Sequence, residues 1–331
     1  GDCRVAVFDE PNAPLSIQHQ PIPSLDAGEL LVRVSACTVC GSDLHTITGN
    51  RKEKTPTILG HEITGQVVSI GSENCLDYTG DEISIGDRIT WSICISCGQC
   101  DRCNSGIPQK CIEIRKIGHE VFETSSVFLG GFAEYIVLPE STSVFRITSD
   151  IPDEVICPAN CATATVIAAS RKLQEISDKS VLLIGAGMLG LTATAYFKTQ
   201  GAKHITVVEP GANRRDLALR FGADEVVEQI SSLERDYNAI LDFSGSSAAI
   251  EESISRLMIG GTIVLVGTVS PSPFVSVDPE FVVRNLVSVF GVHNYHPADL
   301  ESAIEFLVSH GEEFPFAELV EKAFALEDIN T

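Results

Sequence analysis

Val181-Leu182-Leu183-Ile184-Gly185-Ala186-Gly187-Met188-Leu189-Gly190 is the stretch that decides the fold. Four apolar residues in a row, without alternation, read as a strand covered on both faces. Gly-x-Gly-x-x-Gly follows at once and opens a helical pattern that runs to about Thr199. Such glycines allow a tight turn and let a pyrophosphate approach the N-terminus of the helix. Working outward, strands are expected over 205–208, 239–243, 262–266 and 286–292. Helices are expected over 214–221, 248–257 and 298–309. This alternation of helices with buried strands predicts a doubly wound α/β domain around a parallel sheet. Glu209 ends the second strand, 19 residues after Gly190. There a carboxylate can accept both hydroxyls of an adenosine ribose, and Arg214 begins the next helix.

The first 140 residues read differently. Stretches 29–34, 63–70, 88–91 and 131–138 have strand character, and Pro and Gly punctuate them throughout, which predicts an all-β core. A length of 331 residues suits about two domains. Lys and Arg number 23 against 45 Asp and Glu, a formal charge of −22. Nucleic acid and anionic membrane need clustered cations, so neither is an expected partner. The apolar stretch 181–197 is broken by glycines and makes a poor membrane span. Gly1-Asp2-Cys3-Arg4 carries no signal-peptide pattern and no initiator Met, which suggests a trimmed start. A cytoplasmic, reducing compartment is therefore expected, where clustered cysteines mean metal before disulfides.

Eleven cysteines are present. Cys97, Cys100, Cys103 and Cys111 have the spacing of a closed four-thiolate site for structural zinc. A zinc ribbon for nucleic acid has similar spacing, but the charge opposes it. Cys40, His61 with Glu62, and Cys161 are dispersed, and each alone reads as an ordinary packed residue. Together, two thiolates and an imidazole would leave a fourth zinc position open, as a catalytic site requires. Cys3, Cys37, Cys75, Cys94 and Cys157 read as packing residues.

The order Cys40-Gly41-Ser42-Asp43-Leu44-His45, Gly60-His61-Glu62, four-cysteine lobe, Asn160-Cys161-Ala162-Thr163 and glycine turn resembles the zinc-dependent medium-chain alcohol dehydrogenases. The resemblance implies a GroES-like β-rich catalytic domain over 1–162, with its zinc lobe at about 94–112. It implies a Rossmann NAD(P)-binding domain over 163–293 and a return segment over 294–331. Relatives run on through another helix and a strand, so the chain is expected to be cut short. The activity implied is reversible hydride transfer between an alcohol and an aldehyde or ketone. Two zinc ions are implied, with NAD(H) preferred over NADP(H) because of Glu209. Cys40, His61 and Cys161 would hold the catalytic zinc, with Glu62 an alternate ligand and Asp43 orienting His61. Ser42 would take the substrate proton and pass it through the ribose to His45, and Thr165 would contact the nicotinamide end. A homo-oligomer, dimer or tetramer, is implied. Polyol and threonine dehydrogenases of the same fold usually carry a carboxylate where Cys161 falls, and they remain the alternative. A non-catalytic nucleotide-binding relative is another.

Four segments, CGSDLHTITGNR at 40–51, PTILGHE at 56–62, GGFAEYIVLP at 130–139 and PANCATATV at 158–166, are similar to a branch associated with phosphonate catabolism. That resemblance implies a small anionic alcohol or aldehyde. Arg51, beside Lys52 and Lys54 in the loop between His45 and His61, would bind a phosphonate bidentately. Trp91 and His119 are further candidates for the substrate pocket.

Overall fold

Apolar residues alternate with polar ones in the first third of the chain, and such strands pair into antiparallel sheets with one face covered. The computed structural model describes residues 1–71, 75–122, 128–320 and 322–331. The chain opens with β1 (Asp2–Phe8), β2 (Ser16–Pro21) and β3 (Leu30–Thr38), then passes through helix α1 (Gly41–Ile47). β4 (Thr57–Ile58), β5 (Glu62–Ile70) and β6 (Arg88–Trp91) follow. A small lobe comes next, made of β7 (Cys94–Ile95), α2 (Asp101–Asn104), a 3-10 turn and β8 (Arg115–Lys116). β9 (Tyr135–Leu138), β10 (Val144–Arg146) and the short helix α3 (Asp153–Ile156) lead to Cys161. The sheets have the orders β2-β1-β4, β10-β6-β5-β3-β9 and β7-β8. Val5, Val7, Phe8 and Phe132 fill one core, and Val32, Ile63, Ile89 and Ile136 another.

Beyond Cys161 the elements alternate: α4 (Ala162–Ser170), β11 (Ser180–Ile184), α5 (Met188–Thr199), β12 (His204–Val208), α6 (Ala212–Arg220) and β13 (Glu225–Val227). β14 (Tyr237–Asp242), α7 (Ser247–Ile254), β15 (Leu257–Leu265), α8 (Pro279–Asn285) and β16 (Ser288–Gly291) complete the series. The strands form one sheet in the order β13-β12-β11-β14-β15-β16, and every pair in it is parallel. That is the doubly wound arrangement, whose ligands bind outside the carboxyl ends of the strands. The chain then ends with α9 (Pro297–His310) and short 3-10 turns. Two units result: Gly1–Cys161 with His296–Gly311 and Phe316–Thr331, and Ala162–Tyr295 with Glu312–Pro315. Boundaries were expected after residues 162 and 293, so the division differs by one and two residues, and Glu312–Pro315 belongs with the second unit.

Other differences have local causes. The helix expected over 248–257 stops at Ile254, and Leu257 opens β15 opposite Tyr237. The strand expected over 286–292 begins at Ser288. Leu286 instead ends α8 in the left-handed conformation (φ 53°), and α8 itself carries no strong apolar period to announce it. Among the described residues, no helix is long and apolar enough to cross a membrane.

The glycine turn shows why each glycine is there. Gly185 has φ +96°, a region costly to a residue with a Cβ. A Cβ on Gly190 would lie 1.9 Å from the Gly185 carbonyl oxygen, so α5 reaches the turn only because that atom is missing. A Cβ on Gly187 would meet nothing within 4 Å. Gly190→Ala should therefore destabilise the second unit by roughly 1–3 kcal/mol through overpacking. Gly187→Ala should cost less than about 0.5 kcal/mol. Urea denaturation of both variants checks this, and equal losses would contradict the packing argument.

Candidate active site

Three separate segments of the first unit bring four metal-binding side chains together. Cys40 is the N-cap of α1, His61 and Glu62 start β5, and Cys161 follows the 3-10 turn Cys157–Asn160. Their ligand atoms all lie within 4.8 Å of one another. Asp43, 1% exposed, ties two of the segments. One carboxylate oxygen accepts the Cys40 N–H at 3.0 Å. The other accepts the Gly60 N–H at 3.4 Å and faces His61 Nδ1 at 3.4 Å, which leaves Nε2 for the cluster. Thr38 donates its hydroxyl to Glu62 at 2.7 Å.

The electrostatics of this cluster suit a cation. A hydrogen bond with Cys161 holds the Cys40 thiol well below its ordinary range, against the effect of burial. The same contact, with burial, pushes Cys161 well above it, so the two sulfurs compete for one proton. Burial, then the charge of Cys40, pushes Glu62 up to about 8. Burial disfavours an imidazolium at His61, but Asp43 and Cys40 overcome it and raise the group to about 10. Ligands that crowd and share protons in this way are ones a divalent metal can take over by displacing the protons. Two thiols, an imidazole and a carboxylate are donors that zinc accepts.

The lobe holds the other cluster. Cys97, Cys100, Cys103 and Cys111 also place their ligand atoms within 4.8 Å of one another. The Cys111 sulfur lies 3.4 Å from that of Cys97 and 3.9 Å from that of Cys100, and it accepts N–H groups from Cys97 and Glu113 at 3.3 Å. N–H groups of Ile112 and Cys103 bring the Cys100 thiol down to about 6. Four sulfurs form a closed set with no position for a substrate.

The remaining expected residues fall into place unevenly. Ser42 is half-buried on α1, and its hydroxyl bonds with the Cys40 sulfur, while His45 is exposed on the same helix. Trp91 is not a pocket residue. It has no exposed surface and packs in the core with Ile89 and Ile117, because β6 turns it into the sheet interior. His119 does lie at the site, its ring centroid 5.6 Å from that of His61, and its Nδ1 is 2.7 Å from Glu53. Burial, against that hydrogen bond, lowers His119 to about 4. Arg51 is spent on the same carboxylate, 3.7 Å from Glu53, whereas Lys52 and Lys54 are exposed. Glu53, Thr38 and Lys116 were not singled out from sequence. No spacing signal marks them, since their neighbours lie far along the chain.

In the second unit, Gly185, Gly187 and Gly190 form the turn into α5, and Thr165 is half-buried on α4. Glu209 is 7% exposed at the end of β12. Its two carboxylate oxygens accept N–H groups from Ala186 at 2.9 Å and Gly211 at 2.8 Å, so it is locked beside the glycine turn. Arg215 reinforces the corner by donating to the carbonyls of Glu209 and Pro210, and Arg214 stands exposed.

Comparison with known proteins gives two family matches. The alcohol dehydrogenase GroES-like domain matches residues 26–149, and the zinc-binding dehydrogenase domain matches residues 189–309. L-threonine 3-dehydrogenase of Pyrococcus abyssi is 33% identical over 295 residues, covering 83% of this chain and 78% of the relative. Among solved structures, an alcohol dehydrogenase of Thermotoga maritima has a TM-score of 0.88 at 26% identity, covering 99% of this chain and 96% of its own. A zinc-binding dehydrogenase of Sinorhizobium meliloti 1021 bound to NADP has a TM-score of 0.82 at 25% identity, covering 94% and 89%.

Removing Asp43 would leave the Cys40 and Gly60 N–H groups unpaired beside His61. Asp43→Ala should lower stability by roughly 2–5 kcal/mol, and Asp43→Asn, which keeps an acceptor oxygen, by less. Urea denaturation ranks the two, and an equal loss would mean that the acceptor role is not what matters.

Proposed function

We propose that this chain, which belongs to the zinc-dependent medium-chain alcohol dehydrogenase family, interconverts a small alcohol and its aldehyde or ketone with NAD and two zinc ions. The observation that carries the reading is the buried convergence of Cys40, His61, Glu62 and Cys161 beside the Ser42 hydroxyl.

Cys40, His61 and Cys161 would hold one zinc, with Glu62 in reserve, and the four-cysteine lobe the other. Zinc supplies Lewis-acid polarisation of the substrate oxygen. Ser42, half-buried, accepts the hydroxyl proton of the alcohol, and His45, exposed three residues further along α1, passes it to solvent. Asp43 fixes the Cys40 and Gly60 backbones, and so the orientation of the cluster. A bound nicotinamide cofactor would supply the hydride acceptor. Its pyrophosphate suits the glycine turn, where Gly187 leaves open space at the start of α5.

Glu209 supports NAD over NADP. Its carboxylate is pinned by two backbone N–H groups and cannot swing away from a 2′-phosphate. Arg214 and Arg215 on α6 are nearby cations that would offset part of the repulsion, and Arg215 already donates to the Glu209 carbonyl. A second reading, an amino-alcohol dehydrogenase, is favoured by the 33% identity to a threonine dehydrogenase. A substrate bearing a phosphonate is the reading favoured by the segments around Cys40 and Cys161.

The test is a panel of alcohols and aldehydes followed by nicotinamide absorbance, with zinc measured on the same samples. Two zinc ions per active chain are expected. Cys161→Ser should lose one of them and lower kcat/KM by roughly 100-fold or more, while Cys100→Ser should lose the other and unfold at lower temperature. One zinc in the active wild type would refute the assignment. NAD should exceed NADP in kcat/KM by about tenfold or more, and Glu209→Gln should narrow that gap. Equal use of both cofactors by the wild type would show that Glu209 does not discriminate.

A further inference from the structure

We propose that Lys116 anchors the substrate: its ammonium takes an acidic group, a carboxylate or phosphonate, carried by the alcohol that reacts at the Cys40–His61–Cys161 cluster. The proposal rests on the dehydrogenase reading and adds the substrate class and the residue that selects it.

Lys116 ends β8, where it pairs with Cys94 of β7, and its side chain is only partly exposed. The turn that follows packs directly on the ligand segment. A Cβ on Gly118 would sit 2.9 Å from the Gly60 carbonyl oxygen and 3.3 Å from the His61 Cβ. Gly118 has φ +78°, so glycine is required there twice over. His119, whose N–H donates to the Lys116 carbonyl at 3.1 Å, brings its ring against that of His61. The ammonium of Lys116 interacts with Cys94, Arg51, Cys161 and Glu53.

Among the described residues the Lys116 ammonium makes no ion pair and no hydrogen bond, while Arg51, Arg88 and Arg146 each face a carboxylate. Carboxylates outnumber cations 45 to 23 in this chain, so an unpaired, half-buried cation is not for want of partners. Glu53 already serves His119 at 2.7 Å and Arg51 at 3.7 Å. Burial pushes the Cys94 thiol up, so it stays neutral and offers no charge. The thiolates of Cys40 and Cys161 would be spent on balancing a divalent zinc. Burial is also what lowers Lys116 itself from the ordinary lysine range. An ammonium kept partly out of water and unpaired is costly, and an oxyanion on the substrate would remove that cost with a charge-assisted hydrogen bond. Arg51, the cation that sequence favours for this task, is the poorer candidate because Glu53 already answers it.

The experiment compares hydroxyethylphosphonate, hydroxypropanoate and propanol as substrates of the zinc-loaded protein. It uses wild type, Lys116→Gln, Lys116→Arg and Arg115→Gln. Arg115 is the exposed neighbour on β8, so its variant makes the same charge change away from the site. At least one acid should be preferred over propanol by kcat/KM in the wild type. Lys116→Gln should reduce that preference by roughly 10- to 100-fold, mainly through KM, Lys116→Arg should restore most of it, and Arg115→Gln should leave it unchanged. The two acids distinguish a phosphonate from a carboxylate. Calorimetric binding of ethylphosphonate and propanoate, which have no hydroxyl to oxidise, is the independent readout. Lys116-dependent binding without turnover of any alcohol would sink the dehydrogenase reading and keep the anion site. Turnover with no preference for the acids, or a preference that survives Lys116→Gln, would overturn the anion site and keep the dehydrogenase.

Discussion

Four ligand atoms from three distant segments, buried and within 4.8 Å of one another, impose the constraint on which the first unit depends. Burial works against the charged forms of all four groups, while Cys40 and His61 favour each other's charge. The fold bears that cost because the backbones that deliver these groups are fixed by other means. Asp43 bonds to both the Cys40 and the Gly60 N–H groups. Gly60 itself has φ +85°, and a Cβ there would collide with Phe132 and Cys37. The site is therefore pre-organised before any cation binds.

The four-cysteine lobe bears on this arrangement although it is closed to substrate. Its two short strands, β7 and β8, pair only at Cys94↔Lys116 and Ile95↔Arg115. A ladder of that length has little stability of its own. Cross-linking of Cys97, Cys100, Cys103 and Cys111 through a metal would supply the missing rigidity, since metal binding in a compact loop is folding energy. β8 then fixes where residues 116–120 lie, and Glu120 completes the turn by accepting the Lys116 N–H at 2.9 Å. A structural metal would in this way hold Lys116 and His119 against the catalytic ligands.

Local spacing made much of this legible. Val181–Gly190 announced the parallel sheet because non-alternating strands and a glycine turn are short-range signals, and the Cys97–Cys111 run announced its cluster for the same reason. The convergence of Cys40, His61 and Cys161 was readable only through resemblance, as no periodicity links residues so far apart. Trp91 was misplaced because strand alternation gives two faces without saying which is the core. Lys116 was passed over since its significance lies in having no ion pair among the described residues, and ion pairs are set by tertiary neighbours such as Glu53 and Arg51. Helix α8 was missed where apolar period is weak and the turn at Leu286 decides the path, and the early end of α7 was missed because the pairing of Leu257 with Tyr237 is a tertiary contact.

A chain of formal charge −22 has to bind its anions against its own field. At physiological ionic strength that field decays within about 8 Å, so binding is decided by what stands within the first contacts. At the glycine turn the devices are backbone N–H groups and the start of α5, which would attract a pyrophosphate without spending a cation. Near the ligand cluster the anchor proposed at Lys116 would do the same with one charge, strengthened by the reduced polarity around it. Glu209 would apply the converse rule: a carboxylate held by Ala186 and Gly211 would repel a phosphate placed on the ribose. Acceptance and rejection of anions would thus be set residue by residue, by groups in contact with the ligand rather than by the net charge of the chain.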